Sequence, residues 1–178
     1  MVELTEQYKN YELDILNLYL EAFPESERQD FSKIMDVIYK KRGRIITILK
    51  DKKFAGFFIT LDSVNKKTFL IDYFAIKKQY RGMGLGSEAI RLLDNKETII
   101  IEIEPVTEKA KNFTQRKKRL SFYKNLGFKE AKVKIKWFDE IFDLLSLNKK
   151  INFESYKKLL LSFYPENEVN KYVRKITY

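Results

Sequence analysis

The sequence predicts an α+β fold whose central sheet is mixed and mostly antiparallel, with one parallel strand–helix–strand crossover. Apolar residues recur at helical spacing up to Tyr39, and short apolar runs separated by polar turns follow between Arg44 and Ile76. After Ile76 come a glycine-rich turn, a short helix and a strongly apolar strand that ends at Glu104. A strand, a helix and a second strand in this order place the two strands side by side in parallel.

The N-terminal half is predicted to hold two amphipathic helices and an antiparallel set of strands. Helical spacing of apolar residues predicts helices over Tyr11–Ala22 and Asp30–Tyr39, the second capped by its first residue. Pro24 stops the first helix, Phe23 is an exposed aromatic in the charged loop that follows, and Gly43 ends the second helix. The predicted strands are Val2–Thr5, Arg44–Lys50, Phe54–Leu61 and Thr68–Ile76.

The C-terminal half is predicted to alternate helices and strands after the glycine turn. The helix that follows the turn counts Leu92 among its apolar residues, and Asp94-Asn95 breaks it. Gly127 is expected to end the next helix, with Phe128 in the capping contact. The further elements are the strand Thr98–Glu104, the helix Gln115–Leu126, the strands Ala131–Phe138 and Ile141–Leu147, the helix Phe153–Tyr164 stopped by Pro165, and a short tail helix from Glu168.

The composition bounds both the organisation and the chemistry. No repeat, linker or low-complexity segment divides the chain, so we expect one domain, residues 1–178, with a core of about 44–147 and a helical tail of about 152–178. The chain has no cysteine and no histidine, which excludes disulfides, thiolate catalysis and imidazole bases and argues against zinc. Any proton transfer must therefore use a carboxylate, tyrosine, lysine or water, and we expect no metal cofactor.

The formal net charge of +10 favours anionic partners in general terms. Nucleic acid, an acidic membrane surface and an anionic ligand would all fit it, but a lysine-rich composition that follows from an AT-rich genome has the same charge without any function. No apolar run reaches the length of a membrane span, and the first residues do not resemble a signal peptide. We therefore expect a cytoplasmic protein with no membrane partner.

The glycine turn has the features of a phosphate cradle. Gly82, Gly84 and Gly86 lie between the strand and the helix, and glycine lets backbone N–H groups approach a ligand closely. The first turn of a helix has unpaired N–H groups and favours anions, and Arg81 adds a positive charge beside it. The turn is not a Walker A loop, because Ser87 follows Gly86 directly. A partial match to the dinucleotide fingerprint is set aside, because that fold places its turn near the start of the domain.

The spacing Gln79-x-x-Gly82-x-Gly84, directly after an apolar strand, resembles the pyrophosphate-binding motif of the GCN5-related N-acetyltransferase (GNAT) superfamily. The order of predicted elements over about residues 44–147 is similar to that of the same family. This resemblance implies a GNAT-type fold of α/β/α layers, with the parallel crossover at the acetyl-CoA loop and acetyl-CoA as acyl donor. The residues implied to bind acetyl-CoA are the strand end and the loop after it, namely Phe74, Ala75, Ile76, Gln79, Arg81, Gly82, Met83, Gly84, Leu85, Gly86 and Ser87.

A second motif, Phe122-Tyr123-x-x-x-Gly127-Phe128, resembles the family's Phe-Tyr-x-x-x-Gly-Phe. The resemblance implies that Tyr123 lies near the acetyl-CoA sulfur and protonates the leaving thiolate, whereas the alternative is a core aromatic on an amphipathic helix. Many members of the family have asparagine and alanine where this chain has Arg116 and Arg119. These two arginines belong to a basic run, which is either a solvated helix face or a contact to the cofactor's phosphates.

Two glutamates are the candidates for the base that takes the proton of the acceptor amine. Glu102 and Glu104 are two residues apart and share one face of their predicted strand. The ribosomal-protein branch of the family has its base glutamate at the position of Glu102. Burial would raise the pKa of such a carboxyl toward the useful range. The alternative role is an ion pair with Arg116 or Arg119.

The resemblance implies an N-acetyltransferase that transfers an acetyl group to a primary amine by direct attack in a ternary complex. Phe23, Glu27 and Arg28 lie in the loop where the family places its acceptor, and they are the candidate acceptor contacts, although an ordinary helix-ending loop would also fit. The acceptor is a small-molecule or peptide amine, and a homodimer is left open. Two other functions remain: an inactive acyl-CoA-binding or regulatory module, and a basic nucleic-acid-binding domain, for which no helix-turn-helix or RNA-sheet signature is present.

Overall fold

A computed structural model describes residues 1–93, 96–137 and 139–176 of the chain, so the predicted break at Asp94-Asn95 and the predicted strand end at Phe138 lie outside the described residues. The chain divides into two units, one of Met1–Asp62 and Ile71–Asn95 and the other of Ser63–Leu70 and Lys96–Tyr178. Helices accompany mostly antiparallel strands with one parallel pair, which confirms the predicted α+β class. The single-domain organisation stays a prediction.

Among its described residues, the first unit contains four strands and three α-helices. They are β1 (Val2–Thr5), α1 (Glu12–Ala22), α2 (Phe31–Tyr39), β2 (Gly43–Lys50), β3 (Lys53–Asp62), the later part of β4 (Thr68–Ile76) and α3 (Leu85–Leu93). The strands lie in the order β1-β2-β3-β4, and β2 is antiparallel to both β1 and β3. The β2–β3 hairpin turns at Asp51 and Lys52, whose φ angles of 49° and 64° suit a two-residue turn.

Helices α1 and α2 pack their apolar faces on the strands of this unit, as their spacing predicts. The buried cluster joins residues of both helices to residues of β2, β3 and β4; among them are Ile15, Leu18, Tyr19, Ile34, Met35, Ile45, Phe57 and Ile59. Burying one such side chain stabilises the fold by about 1.5–3 kcal/mol. The side chain of Asp30 accepts a hydrogen bond from the Ser32 N–H at 2.9 Å, which confirms the predicted cap of α2.

The predicted role of Gly43 is wrong. Gly43 does not end α2, because that helix stops at Tyr39 and Gly43 is the first residue of β2. A Cβ at position 43 would lie 2.2 Å from the carbonyl oxygen of Thr60, so this glycine serves the close approach of β2 and β3. Among the apolar residues of α3, Leu92 is 51% exposed, while Ala89 and Leu93 lie on the buried side.

The second unit begins with the first residues of β4 and contains all elements that follow α3. They are β5 (Thr98–Ile103), α4 (Phe113–Asn125), β6 (Lys129–Trp137), β7 (Glu140–Leu147), α5 (Phe153–Leu160), α6 (Glu166–Tyr172) and β8 (Val173–Ile176). The strands lie in the order β4-β5-β7-β6-β8. Strands β4 and β5 are parallel, with Thr68 opposite Thr98, and the other pairs are antiparallel. The predicted parallel crossover is therefore confirmed.

The C-terminal end of α4 is capped as predicted. Gly127 has a φ of 91°, which glycine adopts without a steric cost. The Gly127 N–H donates to the Lys124 carbonyl at 3.0 Å, and the Phe128 N–H donates to the Tyr123 carbonyl at 3.1 Å. These two bonds form a Schellman motif, which fixes the direction in which the chain leaves α4.

The tail differs from the prediction in two places. Helix α5 ends at Leu160 rather than at Tyr164, so Pro165 does not stop it but precedes α6. The predicted tail helix is confirmed as α6, while strand β8 was not predicted and pairs with β6. None of the helices within the described residues is long and apolar enough to span a membrane.

Gly56 lies in β3 where β4 packs directly against its backbone. A Cβ at this position would lie 2.3 Å from the carbonyl oxygen of Ala75 and 2.8 Å from the side chain of Ile76. Because the nearer atom belongs to the backbone, the strands must separate to admit a methyl group. We expect Gly56→Ala to lower the free energy of unfolding by about 2 kcal/mol.

Urea unfolding followed by circular dichroism measures this loss. Lys53→Ala, at the exposed start of the same strand, is the control and should change the free energy of unfolding by less than about 0.5 kcal/mol. A Gly56→Ala protein as stable as this control would contradict the close contact between the strands.

Candidate active site

The glycine turn leaves β4 and enters α3 through an open, exposed loop. The Lys77 N–H donates to the Ala55 carbonyl at 2.8 Å, which fixes the end of β4 against β3. Gly82 and Gly84 each have a φ of 76°, a conformation that other residues adopt only with strain. A Cβ added at either glycine would have no atom within 4 Å, so the space over the loop is free.

The start of α3 is where the sequence predicts N–H groups that bind an anion. The first N–H groups of a helix have no partner inside it, and the helix dipole favours a negative charge at this end. Gly86 and Ser87 lie within the first turn of α3, and the side chain of Leu85 is buried, so these residues present chiefly their backbone to the loop. An exposed loop with free N–H groups is suited to a phosphate.

The Arg81 side chain is hydrogen-bonded to the end of β4. Its Nε donates to the Ile76 carbonyl at 2.8 Å, which holds the guanidinium beside the turn. Of the other residues predicted to bind acetyl-CoA, Gln79 and Met83 are exposed, Ala75 is buried, and Phe74 stacks on Phe58 at 4.5 Å between ring centroids. The strand end is thus packed from one side while the loop after it faces solvent.

The loop between α1 and α2, residues 23–30, packs on β4 through aromatic rings. Phe23 is half-buried, and its ring lies 4.9 Å from that of Tyr73 and 5.7 Å from that of Tyr19. The prediction of an exposed aromatic at Phe23 is therefore wrong, because these two tyrosines cover it. Sequence reasoning did not assign either tyrosine to the site.

The hydroxyl of Tyr73 holds the backbone of this loop. It donates to the Glu27 carbonyl and accepts from the Gln29 N–H, both at 3.1 Å, and the Tyr19 hydroxyl donates to the Gln29 carbonyl at 2.9 Å. Burial raises the pKa of both phenols above the ordinary value, so both stay protonated at physiological pH. Three hydrogen bonds between buried phenols and loop backbone give residues 27–29 a fixed shape.

A shallow cleft of about 290 Å³ opens beside this loop. Tyr19, Leu20 and Phe31 form its apolar wall, while Glu25, Arg28 and Asp30 supply its charged groups. Of the predicted acceptor contacts, Arg28 lines the cleft. Phe23 and Glu27 instead support the loop, through ring packing and a backbone carbonyl respectively.

In the second unit, Tyr123 is buried within a group of aromatic rings. Its ring makes edge contacts with Phe122 at 5.0 Å and Phe128 at 5.3 Å. Burial raises the pKa of Tyr123 to about 12, and the nearby charge of Arg119 opposes that rise. The phenol is therefore protonated at every pH at which the protein is expected to work, as a proton donor must be.

Glu104 forms ion pairs with Arg116 and Arg119, the two arginines that the sequence indicates as its alternative partners. It lies just past the end of β5, and its carboxylate oxygens are 2.6 Å from Arg116 Nη2 and 3.2 Å from Arg119 Nη1. Arg116 also donates to the Asn112 side chain at 2.6 Å and to the Pro105 carbonyl at 3.0 Å. This network joins the end of β5 to α4, and the ion-pair alternative is the one found for Glu104.

Glu102 has a different environment, although it is only two residues away. Its carboxylate accepts a hydrogen bond from the Tyr156 hydroxyl of α5, and it takes no part in the ion pairs of Glu104. Burial raises the pKa of Glu102 above the ordinary value, and the bond from Tyr156 opposes that rise. The sequence places Tyr156 on the inner face of α5. A buried phenol needs a hydrogen-bond partner, but no sequence signal indicates which one.

Comparisons with known proteins concern the family and the fold. The sequence model of the acetyltransferase (GNAT) domain matches residues 41–130. The Bacillus subtilis (strain 168) protein named "Putative acetyltransferase YjbC" is 34% identical over 112 residues, which cover 62% of this chain and 54% of that protein. The match thus spans about half the length of this curated relative.

Two solved structures resemble the fold. A GNAT-family acetyltransferase structure from Bacteroides thetaiotaomicron has a TM-score of 0.73 at 18% identity, covering 88% of this chain and 92% of that one. A Bacillus subtilis acetyltransferase in complex with CoA has a TM-score of 0.54 at 21% identity, covering 83% of this chain and 97% of that one. At these identities the similarity supports the fold alone.

Tyr73→Phe tests whether the tyrosine hydroxyl holds the loop between α1 and α2. The variant keeps the ring contacts but removes the acceptor of the Gln29 N–H and the donor to the Glu27 carbonyl. We expect the Gln29 amide to exchange with solvent about tenfold faster, because each lost bond is worth about 1 kcal/mol.

Amide exchange measured by NMR reports this directly. Tyr11→Phe is the matched control. It also removes one tyrosine hydroxyl, but from a ring that stacks on Phe54, and it leaves Tyr73 unchanged. Equal exchange at Gln29 in both variants would show that ring packing alone fixes the loop.

Proposed function

The chain belongs to the GNAT acetyltransferase family, and from that premise we propose that it transfers the acetyl group of acetyl-CoA to a primary amine by direct attack within a ternary complex. The observation that carries this proposal is the loop at the end of β4, where two glycines with positive φ precede the free N–H groups of α3. The space over both glycines admits a phosphate without displacing any side chain.

The residues of this loop fit the pyrophosphate of acetyl-CoA. The N–H groups from Gly82 to Ser87 are its hydrogen-bond donors, and Arg81 adds a positive charge that its bond to the Ile76 carbonyl keeps in place. When bound, acetyl-CoA supplies an acetyl group already activated as a thioester. The backbone N–H groups at the end of β4, from Phe74 to Ile76, are the proposed donors to its carbonyl oxygen.

Glu102 is the proposed base for the acceptor amine. An ammonium group with an ordinary pKa near 10.4 must lose a proton before its nitrogen can attack. Burial raises the pKa of Glu102 and so makes its carboxylate a better proton acceptor near neutral pH. Glu104 is the second choice by sequence, and both of its carboxylate oxygens are occupied by Arg116 and Arg119. We therefore propose a structural role for Glu104.

Tyr123 is the proposed donor to the departing sulfur. As the new C–N bond forms and the C–S bond breaks, the thiolate gains a proton from the phenol, which then regains one from the proton that nitrogen releases. With a pKa of about 12, Tyr123 has its proton available throughout the pH range of a working enzyme.

The cleft beside residues 23–30 is the proposed acceptor site. Its apolar wall of Tyr19, Leu20 and Phe31 suits a ligand with an apolar body, and Arg28 suits an acidic group on that ligand. Glu25 and Asp30 suit a positive one. A small-molecule or peptide amine with such groups is the acceptor class we propose.

Calorimetry with acetyl-CoA and a transfer assay on a panel of amines test the proposal together. We expect acetyl-CoA to bind, CoA to be released only with an amine present, and Gly84→Val to weaken binding at least about tenfold, because valine at a φ of 76° both strains the loop and fills the cradle. Leu92→Ala, at an exposed position of α3, is the control. Binding without turnover of any amine would indicate the inactive acyl-CoA-binding module instead.

Tyr123→Phe tests the proton donor. The variant keeps the ring packing on Phe122 and Phe128, so acetyl-CoA binding should be nearly unchanged while kcat falls by about 10²–10⁴-fold. Because the phenol titrates only at about 12, the wild-type profile should show no loss of kcat from this group below about pH 11. A kcat within about twofold of the wild type would return Tyr123 to a purely structural role.

A further inference from the structure

Tyr156 is buried in α5 and contributes its hydroxyl to Glu102. Its side chain is 1% exposed, and its hydroxyl donates to Oε1 of the Glu102 carboxylate. Burying a hydroxyl costs free energy unless it is hydrogen-bonded, and a phenylalanine would fill the same space without that cost. The hydroxyl therefore has a specific partner, and that partner is the proposed base.

No cation within the described residues pairs with Glu102. The arginines of α4 that approach the end of β5 bind Glu104. On β7, Asp143 lies opposite Ile103 and its carboxylate is 3.6 Å from Lys134 of β6. On α5, the charged neighbours of Tyr156 are Glu154, Lys157 and Lys158, and none of them is hydrogen-bonded to Glu102.

From these contacts we propose that Tyr156 is a positioning residue for the acetyl transfer, in that its hydroxyl holds Oε1 of Glu102 and presents Oε2 to the acceptor ammonium. This inference rests on the proposed function. In the step itself one proton leaves the ammonium nitrogen and ends on Oε2, which leaves a neutral amine and a neutral carboxyl group. The hydrogen bond to Oε1 stays in place throughout.

The positioning group comes from a part of the chain outside the matched acetyltransferase domain. That match ends at residue 130, whereas α5 begins at Phe153. Helix α5 is fixed at its start by a capping box, in which Asn152 and Ser155 exchange hydrogen bonds at 2.9 Å. After α5, the same tail is held by strand β8, which pairs with β6.

The pH dependence of kcat/KM, with the amine that the panel identifies, tests the inference. Glu102 must be ionised to take a proton, so activity rises with pH through its pKa. The bond from Tyr156 favours the carboxylate, so Tyr156→Phe should move that rise to higher pH by about one unit. At pH values below both midpoints kcat/KM should fall about tenfold, the difference should vanish above them, and acetyl-CoA affinity should be unchanged.

Four further proteins separate positioning from loss of structure. Asn152→Ala removes the cap of α5 and destabilises the same helix, but it keeps the phenol, so its profile should keep the wild-type midpoint. Glu102→Gln should lack the acid limb, and adding Tyr156→Phe to it should change nothing more. Replacement of Tyr156 by 3-fluorotyrosine makes a stronger donor of nearly the same shape and should move the midpoint to lower pH.

Each outcome tests a different part of the proposal. No turnover with any amine overturns the proposed function itself. Turnover with a wild-type profile in Glu102→Gln overturns the assignment of the base. An acid limb that Tyr156→Phe does not move, or that Asn152→Ala moves equally, overturns the role of Tyr156 alone. NMR titration of the Glu102 carboxyl carbon, which needs no acceptor, must show the same shift in Tyr156→Phe for the inference to stand.

Discussion

The contact between β3 and β4 at Gly56 is the constraint on which the candidate acetyl-CoA loop depends. With no Cβ at position 56, the Ala75 carbonyl comes within reach of the β3 backbone, and the Lys77 N–H bonds the Ala55 carbonyl. The chain therefore leaves β4 at a fixed point. Arg81 then bonds back to Ile76, so the turn that follows starts from a rigid base and needs only its two glycines to bend.

Buried tyrosine hydroxyls make several of the internal hydrogen bonds in this chain, which has no histidine. Tyr73 and Tyr19 bind the backbone of the loop between α1 and α2, Tyr156 binds the Glu102 carboxylate, and Tyr123 keeps its proton through burial. A buried phenol stays neutral over a wide pH range, so it orients its partner without adding a charge to the interior. Two neighbouring glutamates consequently differ, since Glu104 is paired with cations and Glu102 is hydrogen-bonded to a neutral donor.

The features that the sequence predicted correctly are those that a local residue pattern determines. Periodicity identified the faces of α1 and α2, the parallel crossover and the cap at Gly127, because each depends on residues close together in the chain. Gly43 was misread because a glycine that ends a helix and a glycine that admits a neighbouring strand look alike until Thr60 is placed beside it.

The remaining differences have the same origin. Strand β8 escaped prediction because four residues become a strand only through pairing with β6. The loop glycines and Tyr123 came from motifs, whereas the roles of Tyr73 and Tyr156 depend on contacts with residues more than forty positions away, which no local signal encodes.

Trp137 is placed to act as an intrinsic fluorescence probe of the C-terminal tail. It is the sole tryptophan, it lies opposite Val173 of β8, and its ring is 5.2 Å from that of Tyr164. Indole emission moves to longer wavelength when water reaches the ring, so detachment of the tail changes the colour of the intrinsic fluorescence. The docked and undocked tail are therefore distinguishable in the unlabelled protein, in a binding experiment or a stopped-flow trace, without a reporter group having to be introduced.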